Sequence, residues 1–302
     1  MGVDLACGER AFLDLTFAGL EAVPGPGEER RATALLRSPG GAAISAIGAA
    51  RLGLRTALAS PLGDDPEGDL LRGALAAGGV RWTGRRVART PVTAVLPAGG
   101  ERAMATFEPA DAVTAEELSA VEPAAVVLSL PRVALAPPAA ALYVTAGDDE
   151  ARAGLAGVDL TDARALVVNA REALLLTGED DPATAAQLLA DVTPCAVVTL
   201  GAGGALAACR REVVRVAAVA VEAVDTTGAG DLFTAAYIWA DRLGAPLEER
   251  VRWAVLHAAL SVRVPTAVAG AVTEAALAEA GARQGLALPV PQPSAATKEE
   301  AR

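Results

Sequence analysis

Asp225 to Asp231 reads DTTGAGD. An apolar stretch, VVRVAAVAVEAV (213–224), precedes it, and LFTAAYIWA (232–240), apolar with helical character, follows it. Glycines at such a hand-over from strand to helix permit positive φ and let another group come close to the backbone. The helix that follows presents free N–H groups at its start, and its dipole favours negative charge there. Gly228, Ala229 and Gly230 therefore read as an anion-binding cup, with Asp231 beside it in the first helical turn. Phosphate loops ordinarily supply a lysine or arginine; this one supplies an acid. An acid next to an anion hole suits a reaction in which a substrate hydroxyl loses its proton while the hole holds a transferring phosphoryl group. The same residues also fit a plain helix start, with glycine in the turn and aspartate favourable to the dipole.

The rest of the chain gives this turn a large domain to sit in. It has 302 residues, of which 52 % are hydrophobic and only 3 % aromatic, so the core is built from small aliphatic side chains. The net charge of -11 offers no basic footprint for nucleic acid. The three cysteines (Cys7, Cys195, Cys209) form no CxxC, and an odd count fits reduced thiols in a cytoplasmic protein. The single histidine, His257, excludes an HExxH zinc site. The N-terminal residues lack a basic leader before an apolar run, and no uncharged apolar run of membrane-spanning length stands out, so neither a signal peptide nor a membrane partner is expected.

Strand-like runs at Thr56–Ser60, Val126–Leu130, Leu142–Thr145, Ala165–Asn169 and Ala196–Leu200 alternate with helix-like ones. The helical runs are Ala43–Leu52, Gly68–Ala77, Asp149–Leu155, Ala183–Ala190, Leu232–Arg242, Glu248–Val264 and Thr273–Ala280. That alternation predicts a parallel sheet with helices on both faces. Two segments break the rhythm. Phe12–Ser38 reads as strand, Pro/Gly turn and strand, and Val80–Phe107 as several short strands with turns near Pro91 and Gly99-Gly100. Together they suggest a small sheet standing off the main one. The end of the chain, PVPQPSAATKEEAR, is Pro-rich and polar, and the stretch 286–302 is expected to be a disordered tail. No GxxxxGK[ST] occurs, and GAGDLF and GAGGAL both lack the third glycine of a dinucleotide fingerprint, so neither a P-loop enzyme nor a dinucleotide-dependent oxidoreductase is indicated.

These motifs, taken in order, resemble the PfkB, or ribokinase-like, carbohydrate kinases. DTTGAGD is similar to the family's C-terminal signature, and SPGGAAISAIGAARLG (38–53) to its N-terminal Gly-Gly signature. CGERAFLDLTFAGLEAVPGPGEE (7–29) resembles the first strand and start of the lid, and SPLGDDPEGDLLRGALAAGGV (60–80) the stretch VGxDxxGxxLxxxLxxxGV. RTPVTAVLPAGGERAMATF (89–107) resembles the lid strands, NAREALLLTG (169–178) the NxxE segment, and VVTLGAGGALA (197–207) the nucleotide-binding strand and loop. The resemblance covers roughly Cys7 to Ala280. It implies a three-layer α/β/α sandwich spanning 1–285, with a mostly parallel central sheet and a small β lid from segments near 11–38 and 81–108.

The resemblance implies a function as well: transfer of phosphate from ATP to a primary alcohol of a sugar or sugar-like molecule. Asp231 would be the base and Gly228, Ala229 and Gly230 the anion hole. Asn169 and Glu172 would organise Mg²⁺, with Glu172 acting through water; alone, the pair also reads as a helix capping box. Thr199, Gly201 and Gly203 would line the nucleotide, and otherwise form a tight turn between strands. His257 would lie near the adenine, or be a packed side chain among Ala and Leu. Asp14 would bond sugar hydroxyls, Gly40 and Gly41 would let the substrate approach, and Arg102 would reach over the site. In some members a monovalent cation such as K⁺ sits on carbonyls like those of Asp225 and Thr226, and a homodimer forms through the lid.

Two positions depart from the family pattern. The Gly-Gly signature usually leads to an asparagine that binds sugar hydroxyls; here Ile44 and Ser45 are the candidates. After the strand at 142–145 the family often carries an acid and a basic residue, where this chain has YVTAGDDEAR. The sugar is therefore left open. A nucleoside kinase of the same family and a non-catalytic nucleotide-binding sensor are the alternatives.

Overall fold

A computed structural model describes residues 2–98, 101–210 and 212–289. The strands in chain order are β1 (Leu5–Cys7), β2 (Ala11–Ala18), β3 (Ala34–Gly41), β4 (Thr56–Leu58), β5 (Leu62–Gly63), β6 (Val80–Trp82), β7 (Arg86–Val87), β8 (Val92–Ala98) and β9 (Glu101–Phe107). They continue with β10 (Ala125–Ser129), β11 (Ala141–Thr145), β12 (Ala163–Asn169), β13 (Cys195–Thr199), β14 (Ala205–Cys209) and β15 (Glu212–Val216). The helices are α1 (Ala42–Arg51), α2 (Pro66–Ala77), α3 (Ala115–Ser119), α4 (Asp148–Ala153), α5 (Ala170–Thr177), α6 (Pro182–Val192), α7 (Ala229–Arg242), α8 (Leu247–Ser261), α9 (Ala267–Gly270) and α10 (Glu274–Arg283).

Nine strands form the main sheet in the order β15-β14-β13-β12-β11-β10-β1-β4-β6. From β6 to β13 every pairing is parallel; β13, β14 and β15 are joined antiparallel. The parallel strands are predominantly apolar because both faces are covered, with polar residues at their ends such as Arg164, Ser129, Thr145, Asn169 and Thr199. Successive residues point to opposite sides. Ala125 and Val127 enter a core shared with α1, α2, α7, α8 and α10, whereas Val126 and Leu128 enter a core shared with α3, α5 and α6. This is the three-layer α/β/α sandwich. Helix starts are fixed by local chemistry. Asp65 and Asp181 accept the N–H of Gly68 and Thr184, each at 2.9 Å, and a proline follows each cap. Both features satisfy or remove donors that a helix start leaves open.

At the end of the sheet remote from the glycine turn, a charged group is locked into the core. Asp241, only 2 % exposed at its side chain, accepts two bonds from Arg164, at 2.7 and 2.8 Å, and pairs with Arg250 at 2.7 Å. The Tyr143 hydroxyl also donates to it. These cations and bonds hold the Asp241 carboxyl below the usual range although burial opposes them.

The lid is a separate four-stranded sheet, ordered β3-β2-β8-β9. Its two hairpins are antiparallel, and β2 and β8 join them in parallel. Its limits differ from the sequence expectation in two places. β3 runs on through Gly40 and Gly41 straight into α1, so both glycines belong to a lid strand. Residues 80–91 are not lid: β6 edges the main sheet and β7 pairs with β5. Of the stretch 286–302 expected to be a tail, Leu286 is buried in the core, and residues 290–302 lie outside the described part. Cys195 and Cys209 correct the expectation of free thiols. They sit directly opposite each other on β13 and β14, with Cα atoms 4.1 Å apart, and are joined by a disulfide, leaving Cys7 free and buried.

Candidate active site

The glycine turn is built from its first residue. The Asp225 carboxylate accepts the N–H of Thr227 and, from the segment before α9, the N–H of Thr266, both at 2.9 Å. This bends the chain and ties it to its neighbour. Gly228 then takes φ +70°, the left-handed region where a side chain is strained. A Cβ there would lie 2.8 Å from Ile44 Cδ1 and closer still to Ala267 Cβ. Gly230 differs: a Cβ at that position would meet nothing within 4 Å. Helix α7 starts at Ala229, and of its first turn Gly230 and Asp231 line one cleft. Gly228 and Ala229 are not part of that lining, and the Ala229 N–H donates to the Thr226 carbonyl at 3.3 Å.

That cleft measures about 480 Å³ and lies along the C-terminal ends of the parallel strands, lined by Ser129, Thr145, Asn169 and Thr199. Ligands of open α/β sheets gather at this edge. Gly41, Ala42 and Ser45 close it on the lid side, and Asp231 stands at its base. The Ser45 hydroxyl donates to Asp231 Oδ1 at 3.1 Å. Burial pushes the Asp231 carboxyl up to about 6, and the Ser45 hydroxyl opposes that rise. The departure at the family's asparagine is thereby given a structure. Ser45 faces the aspartate, while Ile44 packs with Leu232, Ala267 and Ala271 beneath the glycine turn.

Asn169 and Glu172 form the capping box at the start of α5. Asn169 Oδ1 accepts the Glu172 N–H at 2.9 Å, and the Glu172 carboxylate accepts the Asn169 N–H and Nδ2, each at 2.7 Å. Both residues also line the cleft. Burial lifts the Glu172 carboxyl to about 7, and Asp148, Asp231 and Glu150 add repulsion while the Asn169 N–H opposes it. Among the described residues no group of three or more His, Cys, Asp and Glu is arranged to hold a metal ion. A cation here would have Glu172, Asn169 and water as oxygen ligands, which suits Mg²⁺ because it keeps several waters.

The remaining expected residues are placed as follows. Thr199 ends β13 beside Asn169. Gly201 and Gly203 form the exposed 3₁₀ turn that joins β13 to β14. Asp14, on β2, is buried, and its carboxylate lies where a Cβ of Gly40 would stand. Burial and the nearby Asp231 raise the Asp14 carboxyl to about 7. Gly41 takes φ +57°, and a Cβ there would meet the Arg10 carbonyl and the Phe12 ring. Arg102 pairs with Pro97 in the lid hairpin; its side chain lies outside the described part. His257 has no exposed surface: it packs inside the helical layer with Nδ1 2.8 Å from the Leu232 carbonyl. Burial depresses its pKa and keeps it neutral. The packed alternative therefore describes His257, and a base stacked on it is not what this placement offers.

The sequence reading passed over two ion pairs that line the cleft. Arg132 is held by Glu9 and by Ser129 Oγ at 3.0 Å, and Arg10 pairs with Glu108 at 2.7 Å. The available signal was charged residues directly after apolar strands, at Glu9-Arg10 and Glu108.

The profile described as pfkB family carbohydrate kinase matches residues 11–129 and 155–274. The chain belongs to this family. PfkB members are carbohydrate kinases, and the phosphotransferase class of this chain follows from its membership. It is 41 % identical over 85 residues to Acarbose 7(IV)-phosphotransferase of Actinoplanes sp., a match spanning 27 % of this chain and 28 % of that protein. Among solved structures, Arabidopsis thaliana ribokinase complexed with ribose and ATP superposes with a TM-score of 0.79 at 22 % identity, covering 93 % of this chain and 99 % of that one. An Escherichia coli ribokinase II in complex with ATP and Mg²⁺ gives 0.76 at 19 % identity, covering 94 % and 100 %. At these identities the likeness establishes the ribokinase-like fold. Among the described residues no helix is long and apolar enough to cross a membrane.

Proposed function

We propose that this PfkB member transfers the γ-phosphoryl group of ATP to a primary alcohol of a sugar or sugar-like acceptor. One observation carries the reading: Asp231, whose carboxyl burial raises to about 6, shares a cleft with Gly230 in the first turn of α7. A base whose pKa lies just below neutral pH is mostly ionised and still competent to take a proton. Asp231 would accept the acceptor's hydroxyl proton. Gly228, Ala229 and Gly230 would hold the phosphoryl oxygens through backbone amides. ATP would extend over Thr199, Gly201 and Gly203. Mg²⁺ would be held through water by Glu172 and Asn169 and would neutralise phosphate charge. The acceptor would lie between Asp231 and the lid, near Asp14, Gly40 and Gly41, with Arg102 on the lid above it. The remaining work is positioning, and closure of the lid would exclude competing water.

The bound ATP, ribose and Mg²⁺ of the two ribokinases support these ligands for this chain. A monovalent cation at the carbonyls of Asp225 and Thr226, checked by K⁺ titration of the rate, belongs to the same reading. So does a homodimer through the outer face of the lid, where Leu35 and Phe107 are exposed. The cytoplasm is the matching compartment, since it supplies ATP. The test is a coupled ADP-release assay with Mg-ATP across a panel of sugars. Turnover that requires both an acceptor and Asp231 supports the proposal; ATP binding without acceptor-dependent turnover supports a sensor instead.

A further inference from the structure

The connection between β1 and β2, residues 8–10, carries two charged side chains to which the proposed reaction assigns no role, and they are tied to different parts of the molecule. The Glu9 carboxylate accepts the Ser129 N–H and the Arg132 guanidinium, and Arg132 donates in turn to Ser129 Oγ at 3.0 Å. Glu9 is thereby tied to the main sheet, at the end of β10. Arg10 is tied to the lid. Its Nη1 pairs with Glu108 at 2.7 Å and donates to the Pro109 carbonyl, directly after β9 leaves the lid sheet.

The chain passes between the main body and the lid before β2, from β3 into α1, before β8 and after β9. The passage before β8 is held without Arg10. Pro91 accepts the Leu13 N–H at 2.9 Å, and Thr90 donates its N–H and its hydroxyl to the Asp65 carboxylate, at 2.8 and 2.6 Å. The other three passages meet at Arg10. It is itself the entry to β2. Its carbonyl accepts the Ala42 N–H at 2.9 Å, where β3 hands over to α1, and its guanidinium holds the exit at Glu108 and Pro109. The middle contact is tight, since a Cβ on Gly41 would lie 2.5 Å from the Arg10 carbonyl. One turn into α1, Ser45 donates to Asp231 Oδ1 at 3.1 Å. The Arg10 side chain is only 15 % exposed, so solvent ions screen its charge less than that of a surface arginine.

We propose that Arg10 is a positioning residue: it fixes the lid and the start of α1 against the cleft, and so aligns the acceptor with Asp231. The inference rests on the kinase reading above and adds a residue to which the family resemblance assigns no role. Arg10 acts through Glu108, Ala42 and Ser45 rather than by touching the reacting atoms. The donor residues sit on β12, β13 and α7 and the turns beside them, to none of which Arg10 is bonded among the described residues. Loss of its side chain is therefore felt on the acceptor side of the reaction.

The experiment compares the full chain with Arg10→Met, Arg10→Lys and Glu108→Gln. Kinetic constants are measured with Mg-ATP and the fastest acceptor among ribose, fructose, glucose, gluconate, myo-inositol and adenosine. Amide hydrogen exchange is followed without acceptor over residues 39–46, 103–113 and 225–235. In Arg10→Met, kcat/KM for the acceptor should fall about 10- to 100-fold, the scale of a misplacement of about 1 Å. The KM for ATP should stay within about twofold. Glu108→Gln keeps the Pro109 carbonyl and should lose only about 3- to 10-fold. Both Arg10 bonds leave one nitrogen, so the lysine ammonium can replace them and should recover most of the loss. Exchange in Arg10→Met should quicken at least about fivefold over 39–46 and 103–113 and stay as in wild type over 225–235. Wild-type acceptor constants in both Arg10→Met and Glu108→Gln overturn the inference. So do equal losses for acceptor and ATP, a lysine variant no better than the methionine one, or exchange quickened evenly along the chain. Should wild type phosphorylate none of these acceptors, the kinase reading is what fails, and the exchange pattern still decides whether Arg10 holds the lid.

Discussion

Replacing Gly228 by alanine tests the physical basis of the turn with a single methyl group. At φ +70° the added Cβ incurs the left-handed penalty, about 1–2 kcal/mol. It would also lie 2.8 Å from Ile44 Cδ1 and closer to Ala267 Cβ, in a cluster that is buried on both sides. Overpacking of this kind costs a further ~1–3 kcal/mol. The sum, about 2–5 kcal/mol, corresponds to a fall in Tm of roughly 3–8 °C for a domain of this size. Gly230→Ala is the control, because its Cβ meets nothing within 4 Å and its backbone is already helical. That variant should unfold within about 2 °C of wild type. Adding Ala267→Gly to Gly228→Ala removes the closest atom and should restore part of the packing share, leaving the contact with Ile44 and the backbone penalty. The assay is thermal and urea unfolding of the four proteins. A Gly228→Ala protein as stable as wild type, or a double variant no better than the single one, refutes the account of why glycine is required.

Other outcomes follow from the cleft and the core. Asp231→Asn should lower kcat by at least ~10³ while a fluorescent ATP analogue still binds with wild-type affinity; comparable turnover excludes Asp231 as base. Ser45→Ala removes a hydroxyl that favours the ionised aspartate, so the acidic limb of kcat against pH, near 6 in wild type, should move upward; an unmoved limb shows that Ser45 does not tune it. Asp14 and Asp231 bind protons more tightly in the fold, at about 7 and about 6, than in the unfolded chain, near 4. The stability of the ligand-free protein should therefore fall as pH rises from about 4 to about 7, and Asp14→Asn should flatten that fall, measured by urea midpoints. Asp241→Ala strands two arginines and a tyrosine and should cost about 3–5 kcal/mol in the same assay.

Much of the architecture was legible because parallel strands buried on both faces must be largely apolar, and Val126–Leu130, Leu142–Thr145, Ala165–Asn169 and Ala196–Leu200 are, up to the polar residue near each C-terminal end that lines the cleft. The lid was legible as a break in that rhythm. Its edges were not, since Gly40 and Gly41 look like a loop while serving as the end of β3. The cleft was legible where chemistry is local in sequence, as in the glycine turn and the Asn169–Glu172 box. It was hidden where partners are distant. Ser45 meets Asp231 across 186 residues, and Glu9 meets Arg132 across 123. Cys195 and Cys209 are only 14 apart, yet their pairing depends on the register of a hairpin that spacing alone does not fix. For His257 the sequence left two readings open, a place near the adenine implied by the resemblance and a packed side chain, and the burial of its ring supports the packed one.

The order in which the chain visits the two halves of the cleft bears on how such an enzyme can diversify. Asp14, Gly41 and Ser45 all precede Phe107, whereas Asn169, Glu172, Thr199 and Gly228–Asp231 all follow Ala163. On the proposed roles, a crossover near Glu108–Asp111 would exchange the acceptor half and keep Asn169, Glu172 and the glycine turn in one piece, with Ile44 and Ser45, which support the turn and Asp231, as the contacts that must be matched across the joint. On that reading new acceptors are reachable by recombination at one joint, provided these two contacts are kept.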